Sequence, residues 1–95
     1  MQNKITDKKL EKYFEVTKQA LNKAKIKVKL DSDLKKVADD FLDTANRYYS
    51  DASYFAKKGD IVTAFAALNY AHGFLDAAAR AKLLDVNDST LFASD

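Results

Sequence analysis

The sequence predicts an all-α protein that folds as a three-helix up-and-down bundle in a single domain over residues 1–95. Three segments repeat apolar residues at the three-and-four spacing of one buried helix face. With no proline and only two glycines, the chain has few breakpoints, and this favours long helices. A chain of 95 residues can build one modest core, so we do not expect an enzyme with a deep enclosed pocket.

The first helix is predicted at about residues 6–25, where Thr6 can accept hydrogen bonds from the unpaired amides at its start. Its apolar face consists of Leu10, Tyr13, Phe14, Thr17, Leu21 and Ala24. The segment Lys25–Leu30 then alternates charged and apolar residues with period two, as a strand does. Because the sequence has no second run of this kind to pair with it, we expect a frayed helix end or an extended connector.

The second helix is predicted at about residues 32–58, and residues 31–33 offer capping oxygens and negative charge at its start. Its apolar seam is Leu34, Ala38, Phe41, Ala45, Tyr48, Ala52 and Phe55. Alternating large and small residues at heptad spacing is typical of two helices that approach closely. Gly59 can end this helix and Asp60 can cap the next, so the second and third helices should be antiparallel neighbours.

The third helix, at about residues 61–84, is apolar around most of its circumference. One side carries Leu68, Leu75 and Ala79, and another carries Tyr70, Phe74 and Ala77. A helix with two apolar sides usually has a neighbour on each, so we expect the first helix to dock along the hairpin. Leu91 and Phe92 are expected to pack on one end of the core, with residues 1–5 and 93–95 flexible.

A polar stripe on the third helix carries most of the candidate chemistry. It consists of Asn69, His72, Asp76 and Arg80, spaced three, four and four residues apart. Asp76 can orient the imidazole of His72, and such a pair could bind an anion or act as a general base. The alternative, which we favour, is that these are solvent-facing positions linked by weak surface pairs. If the polar stripe has a function, interaction is more plausible than catalysis.

Gly73 lies beside the polar stripe in the middle of the third helix. A glycine there costs about 1 kcal/mol relative to alanine, so it needs a physical reason. The explanation that we favour is close contact with another helix inside the bundle, in which case Gly73→Leu would overpack the core. The alternative is that Gly73 belongs to a contact surface for a partner.

Charge and exposed aromatics suggest a second possible function. Residues 1–30 hold nine lysines and three acidic residues, whereas residues 31–95 hold seven basic and eleven acidic residues. The basic segment, together with Tyr49 and Tyr54 as stacking aromatics, could bind nucleic acid. It could equally lie against the acidic start of the second helix, and we favour this intramolecular arrangement.

Several classes of protein lack support in the sequence. There is no cysteine, no glycine-rich phosphate loop, no paired-histidine zinc motif and no serine nucleophile elbow, so we expect no enzyme, no metal and no cofactor. His72 and Asp76 alone would be too few ligands for a metal ion. No segment approaches the ~20 apolar residues of a membrane span, and we expect a soluble cytoplasmic protein.

The segment from Tyr48 to Leu84 resembles the core signature of a short archaeal family, the domain of unknown function 357. Its most specific part is the Lys-Gly-Asp turn followed by Asn-Tyr-Ala-His-Gly and Leu-Asp-Ala. With DSDLKKVADDFLDTA upstream, the likeness covers roughly residues 30–92. The resemblance implies a three-helix up-and-down bundle in an archaeal cytoplasm, assigns no activity and supplies no catalytic residues. Similar segments attached to nucleotidyltransferase-like domains hint at a helper role.

A weaker likeness is to nucleotide-associated helical bundles of the HEPN type. Their Arg-x-x-x-x-His ribonuclease motif is missing, because the fifth residue after Arg80 is Asp85 and the fifth after Arg47 is Ala52. We therefore expect a noncatalytic protein-interaction or scaffold module, with a protein partner or a homodimer as its assembly. We favour self-association, because the third helix has more apolar circumference than a lone three-helix bundle easily covers. The possible interaction surface comprises Asn69, His72, Gly73, Asp76, Arg80, Tyr49 and Tyr54. The alternative is a nucleotide- or RNA-binding accessory domain that uses the basic first helix.

Overall fold

Three α-helices form the part of the chain that the computed structural model describes, residues 4–85. They are α1 (Asp7–Lys23), α2 (Ser32–Lys57) and α3 (Ile61–Arg80). The predicted all-α three-helix bundle is confirmed. The predictions for Leu91, Phe92 and the two chain ends fall wholly or largely outside the described residues.

The start of each helix follows the local chemistry that the sequence predicts. The residue before each helix has a side-chain oxygen that accepts a hydrogen bond from the amide three positions on. These residues are Thr6, Asp31 and Asp60, with oxygen to nitrogen distances of 3.1, 2.8 and 3.1 Å. Each bond satisfies one of the amides that a helix start leaves without an intrahelical partner.

The α2–α3 turn is a glycine-ended helix terminus of the Schellman type. Gly59 has a φ of 82°, its amide donates to the carbonyl of Ala56, and the amide of Asp60 donates to the carbonyl of Phe55 at 2.9 Å. A residue in the left-handed region with these two bonds closes a helix and reverses the chain. This turn makes α2 and α3 antiparallel, as predicted.

The predicted end of the third helix at residue 84 is wrong, because α3 stops at Arg80. Lys82 adopts a φ of 63°, and its amide donates to the carbonyl of Ala79. The amide of Leu83 donates to the carbonyl of Ala78, so this is a second Schellman terminus, here without a glycine. The turn brings Leu83 into the core, where it is buried, and this burial offsets the strained backbone of Lys82.

The segment 25–30 has a backbone partner that the sequence did not predict. Ile26 forms an isolated antiparallel bridge with Leu84. The amide of Lys27 donates to Leu83, and the amide of Asp85 donates to the carbonyl of Lys25 at 2.7 Å. This pairing is possible because α3 ends early and leaves residues 83–85 outside the helix. The periodicity of apolar residues in the sequence did not indicate that early end, so it could not predict the pairing.

Only some of the apolar side chains in the connector, residues 25–30, pack against the core. Ile26 and Leu30 lie against the core cluster that contains Leu84, whereas Val28 at the tip of the turn is exposed. α1 itself ends at Lys23, two residues before the predicted end. The connector is therefore an extended chain rather than a continuation of the helix.

The contact between α2 and α3 is a seam of alanines, and the largest fully buried side chains of the core are Leu68, Leu75 and Thr17. Three alanines of α2 and three of α3 have no exposed surface: Ala38, Ala45, Ala52, Ala64, Ala71 and Ala78. Small side chains at these positions let two helices approach closely, as the heptad pattern predicts. Leu10 of α1 belongs to the same cluster as Ala52, and Ala20 to the same cluster as Ala38, so α1 is antiparallel to α2.

We expect Lys82→Gly to raise the free energy of unfolding by about 0.5–1 kcal/mol, because glycine adopts a positive φ without the steric cost of a Cβ atom. Urea unfolding followed by far-UV circular dichroism measures this difference. Lys82→Ala is the matched control, since it removes the charge and keeps the strain. Equal stability of the glycine and alanine variants would contradict the backbone explanation.

Candidate interaction surface

The α2–α3 hairpin has two faces, and α1 covers one of them. On that side the ring of Tyr49 meets Phe14 of α1 at a centroid distance of 5.8 Å, and Phe65 meets Tyr13 at 4.9 Å. We call the opposite side of the hairpin the outer face. It comprises Val37, Phe41, Thr44 and Tyr48 of α2 with Val62, Ala66, Asn69, Tyr70, Gly73, Phe74 and Ala77 of α3. No helix of the described residues lies over the outer face.

A row of four aromatic rings crosses the outer face from α2 to α3. Phe41 meets Phe74 edge to face at 5.5 Å, and Tyr48 stacks on Phe74 at 6.0 Å and on Tyr70 at 5.2 Å. These offsets and angles are favourable for aromatic pairs, so each ring is held by its neighbours. Tyr70, at the outer end of the row, remains 60% exposed.

A groove of about 350 Å³ runs beside this aromatic row. It is lined by Phe41, Asn69, Tyr70, Gly73, Phe74 and Ala77. A Cβ atom placed on Gly73 would meet no other atom within 4 Å. The glycine thus faces the open groove, and the expectation that it makes a close helix contact inside the bundle is wrong. Helical periodicity alone did not tell which side of α3 this position occupies.

The outer face contains no charged residue. Its eleven positions are aliphatic, aromatic, glycine or neutral polar residues, and Val62 and Tyr70 are largely exposed to solvent. Charged residues lie at its margins: Asp40 and Asp51 border it on α2, and on α3 Asp76 lies beside it and Arg80 follows it. Contiguous apolar patches with a polar rim are typical of interaction sites on soluble proteins.

The polar stripe is divided between two sides of α3. His72 lies two turns after Phe65, on the side that faces α1, and its Nε2 atom is 3.5 Å from Oδ1 of Asp76. Asn69 lies in the groove next to Gly73, and Arg80 continues that side two turns after Gly73. The predicted His72–Asp76 pair therefore forms, but the groove contains Asn69 and not the histidine.

The two tyrosines proposed as a stacking surface do not share one. Tyr49 is half-buried against Phe14 of α1. Tyr54 is 55% exposed, packs against Phe55 and has the Lys58 ammonium 5.0 Å above its ring. The two tyrosines are five positions apart in the sequence, which places them about 140° apart around α2. The two tyrosines therefore do not form one stacking surface for nucleic acid. The basic first segment is the remaining observation in favour of the nucleic-acid alternative.

The aromatic part of this surface was missed as a site. Phe41 and Tyr48 fit the predicted buried seam of the second helix, and Tyr70 and Phe74 fit a predicted apolar side of the third. The sequence indicates that the third helix has two apolar sides that each need a neighbour, while a 95-residue chain supplies only one helix besides the hairpin. One side must therefore stay uncovered, but the sequence does not indicate which side it is.

Two features of residues 4–85 bear on other functions. No three histidine, cysteine, aspartate or glutamate side chains in this range converge in a way that could hold a metal ion. None of the helices within the same range is long and apolar enough to cross a membrane.

Comparison with known proteins identifies the family. The model of the family described as "Protein of unknown function (DUF357)" matches residues 12–84. The chain belongs to the DUF357 family. The match begins within α1, upstream of residue 30 where the resemblance was expected to start, and it includes both helices of the outer face. Comparison with curated proteins gave no match, and neither did comparison with solved structures.

The two glycines of this DUF357 chain should respond in opposite ways to alanine. Gly73→Ala should raise the free energy of unfolding by about 0.5–1 kcal/mol, because the new methyl meets open space and alanine favours the helix. Gly59→Ala should lower the free energy of unfolding by about 1 kcal/mol, because its φ of 82° is unfavourable for alanine. Thermal unfolding of the two variants beside the wild type tests both. A loss of stability in Gly73→Ala would show that the residue is packed against the bundle.

Proposed function

We propose that this DUF357 chain is a noncatalytic protein-interaction module that binds the apolar face of a helix from another protein chain. The single observation that carries the proposal is the uncharged outer face with its open groove. A module of this kind acts by presenting a rigid surface rather than by chemistry.

The composition of the groove supports binding of an apolar side chain. Three aromatic rings and Ala77 form most of its lining, and Asn69 is its polar residue. Fully burying one leucine or phenylalanine side chain contributes about 1.5–3 kcal/mol, and anchors of this kind dominate interface energies. The rings of Phe41, Tyr48 and Phe74 already pack against one another in the free chain, which lowers the entropy cost of binding.

The shape of the hairpin supports a helix as the occupant. α1 covers one side of the α2–α3 pair, and a further helix on the outer face would complete a layer on the other side. Ala66, Gly73 and Ala77 project little from α3, so the backbone of a neighbouring helix could approach closely between the taller rings.

The absence of acid–base groups from the groove supports a noncatalytic role. No carboxylate, imidazole or amine is among the described residues that line it. His72 lies on the α1 side of α3, and neither it nor its partner Asp76 is among the residues that line the groove. A general base must be within hydrogen-bond reach of its substrate, and no such group lies in the groove lining.

A charged side chain in the groove should abolish binding without unfolding the chain. We expect Gly73→Arg, with the arginine projecting into the groove, to reduce capture of partner proteins at least tenfold, because a bound helix would bury an unpaired charge. Ser50→Arg on the exposed side of α2 adds the same charge elsewhere and is the matched control. The measurement is quantitative mass spectrometry of proteins retained from a nuclease-treated lysate of the source cells.

The result supports the proposal if a specific set of proteins, this chain included, is retained by the wild type and by Ser50→Arg but lost with Gly73→Arg. Thermal unfolding confirms that both variants are folded. Retention that is equal for all three baits would place binding elsewhere on the molecule. A parallel capture from untreated lysate is the second control, and proteins retained only without nuclease treatment would favour the nucleic-acid alternative instead.

A further inference from the structure

We infer that the occupant of the outer face is a second copy of this chain, with the two α3 helices antiparallel and crossing near Gly73. This inference rests on the proposed interaction function and names its partner. The resulting dimer is isologous, so each copy offers its groove to the other and receives the other's side chain in return.

Charge is the first argument for a second copy. A surface that meets itself about a two-fold axis brings the charges near that axis close to their own copies. The outer face has no charged residue along its length, and Asp40 and Asp51 lie on its α2 margin. Asp76, which pairs with His72, lies on its α3 margin beside Asn69. Self-contact therefore buries uncharged surface and leaves these carboxylates at the rim, which is the arrangement that favours association.

Arg80 determines the orientation. It lies seven residues after Gly73 on the same side of α3 and is exposed. In a parallel pair the two Arg80 side chains would meet each other, and the two helix dipoles would be aligned. In an antiparallel pair that crosses near Gly73, Arg80 faces Ala66 of the second copy instead. Like-charge contact and aligned dipoles are both unfavourable, so the antiparallel pair is favoured.

Tyr70 supplies the side chain that fills the groove. Its ring is 60% exposed and lies three residues before Gly73. In the antiparallel pair, positions three to four residues before Gly73 meet positions three to four residues after it. Tyr70 of each copy therefore meets Ala77 of the other, which lines the other copy's groove. The ring of Tyr70, the most exposed of the aromatic row, thus enters the groove of the other copy, and the two-fold axis repeats this contact.

The size of the outer face matches a small dimer interface. On α3 the outer face runs from Val62 to Ala77, which is about 24 Å, and two helices side by side are about 20 Å wide. The outer face therefore offers about 500 Å² per copy, at the lower limit of about 500–600 Å² per partner for specific interfaces. We expect a weak dimer with a dissociation constant in the micromolar range.

Single-cysteine crosslinking tests the geometry on a clean background, because the chain contains no cysteine. Gly73→Cys places the thiols of the two copies side by side at the crossing point, so oxidation should give a disulfide-linked dimer. Val62→Cys lies 11 residues away, which separates its two thiols by about 33 Å in the antiparallel pair. It should remain monomeric on a non-reducing gel. An equimolar mixture of Ala66→Cys and Arg80→Cys should form mixed dimers in preference to either homodimer.

Efficient crosslinking of Val62→Cys would overturn the antiparallel arrangement, because only a parallel pair or random collision joins those positions. Sedimentation equilibrium provides the second arm. Wild type and Ser50→Arg should shift with concentration from 10.6 kDa towards twice that mass, whereas Gly73→Arg should stay monomeric.

Sedimentation and capture from the lysate together distinguish a failure of the dimer from a failure of the interaction function. A wild type that remains a 10.6 kDa monomer at high micromolar concentration overturns the second copy as occupant. The interaction function survives that result if capture from the lysate still depends on Gly73. If the Gly73→Arg variant still dimerises, the dimer interface does not lie on the outer face. If this variant also captures the same proteins from the lysate as the wild type, the proposed function of the outer face is overturned as well.

Discussion

The close approach of α2 and α3 is the constraint on which the rest of the structure depends. Fully buried alanines occupy the space between these helices, with Ala45 and Ala71 among them. Since methyl groups fill the seam, the rings carried by the same two helices flank it on both sides instead of entering it. Tyr49 and Phe65 lie on one side, and Tyr48 and Phe74 on the other. The seam therefore creates two aromatic faces on one hairpin.

Only one of these faces is covered by the described chain. α1 lies over the side of Tyr49 and Phe65, and the Ile26–Leu84 bridge ties its connector to the end of α3. A single further helix has one apolar stripe and can serve one face of a hairpin. The outer face is thus a consequence of helix number. The same alanine packing that gives α1 its aromatic face produces a second aromatic face, and no helix among residues 4–85 covers it.

The features that the sequence predicted well depend on local chemistry. Thr6, Asp31 and Asp60 cap helices because a short oxygen-bearing side chain satisfies nearby amides, and Gly59 ends one because it tolerates a positive φ. The end of α3 could not be predicted this way. Lys82 takes the position that glycine normally occupies, and the burial of residues 83–84 and their pairing with the connector stabilise it. Those contacts join segments more than fifty residues apart, so no local pattern contains them.

The candidate site shows a different limit, because spacing fixes which residues share a side of a helix but not what that side faces. Asn69 and His72 share an arc of the helical wheel, yet one lines the groove and the other belongs to the side that faces α1. Gly73 is the clearest case. No turn requires it and no atom of the bundle approaches it, so its cost to the helix has no compensation within the described chain. A missing Cβ atom at this position leaves the groove open, and the proposed interaction function depends on that open space.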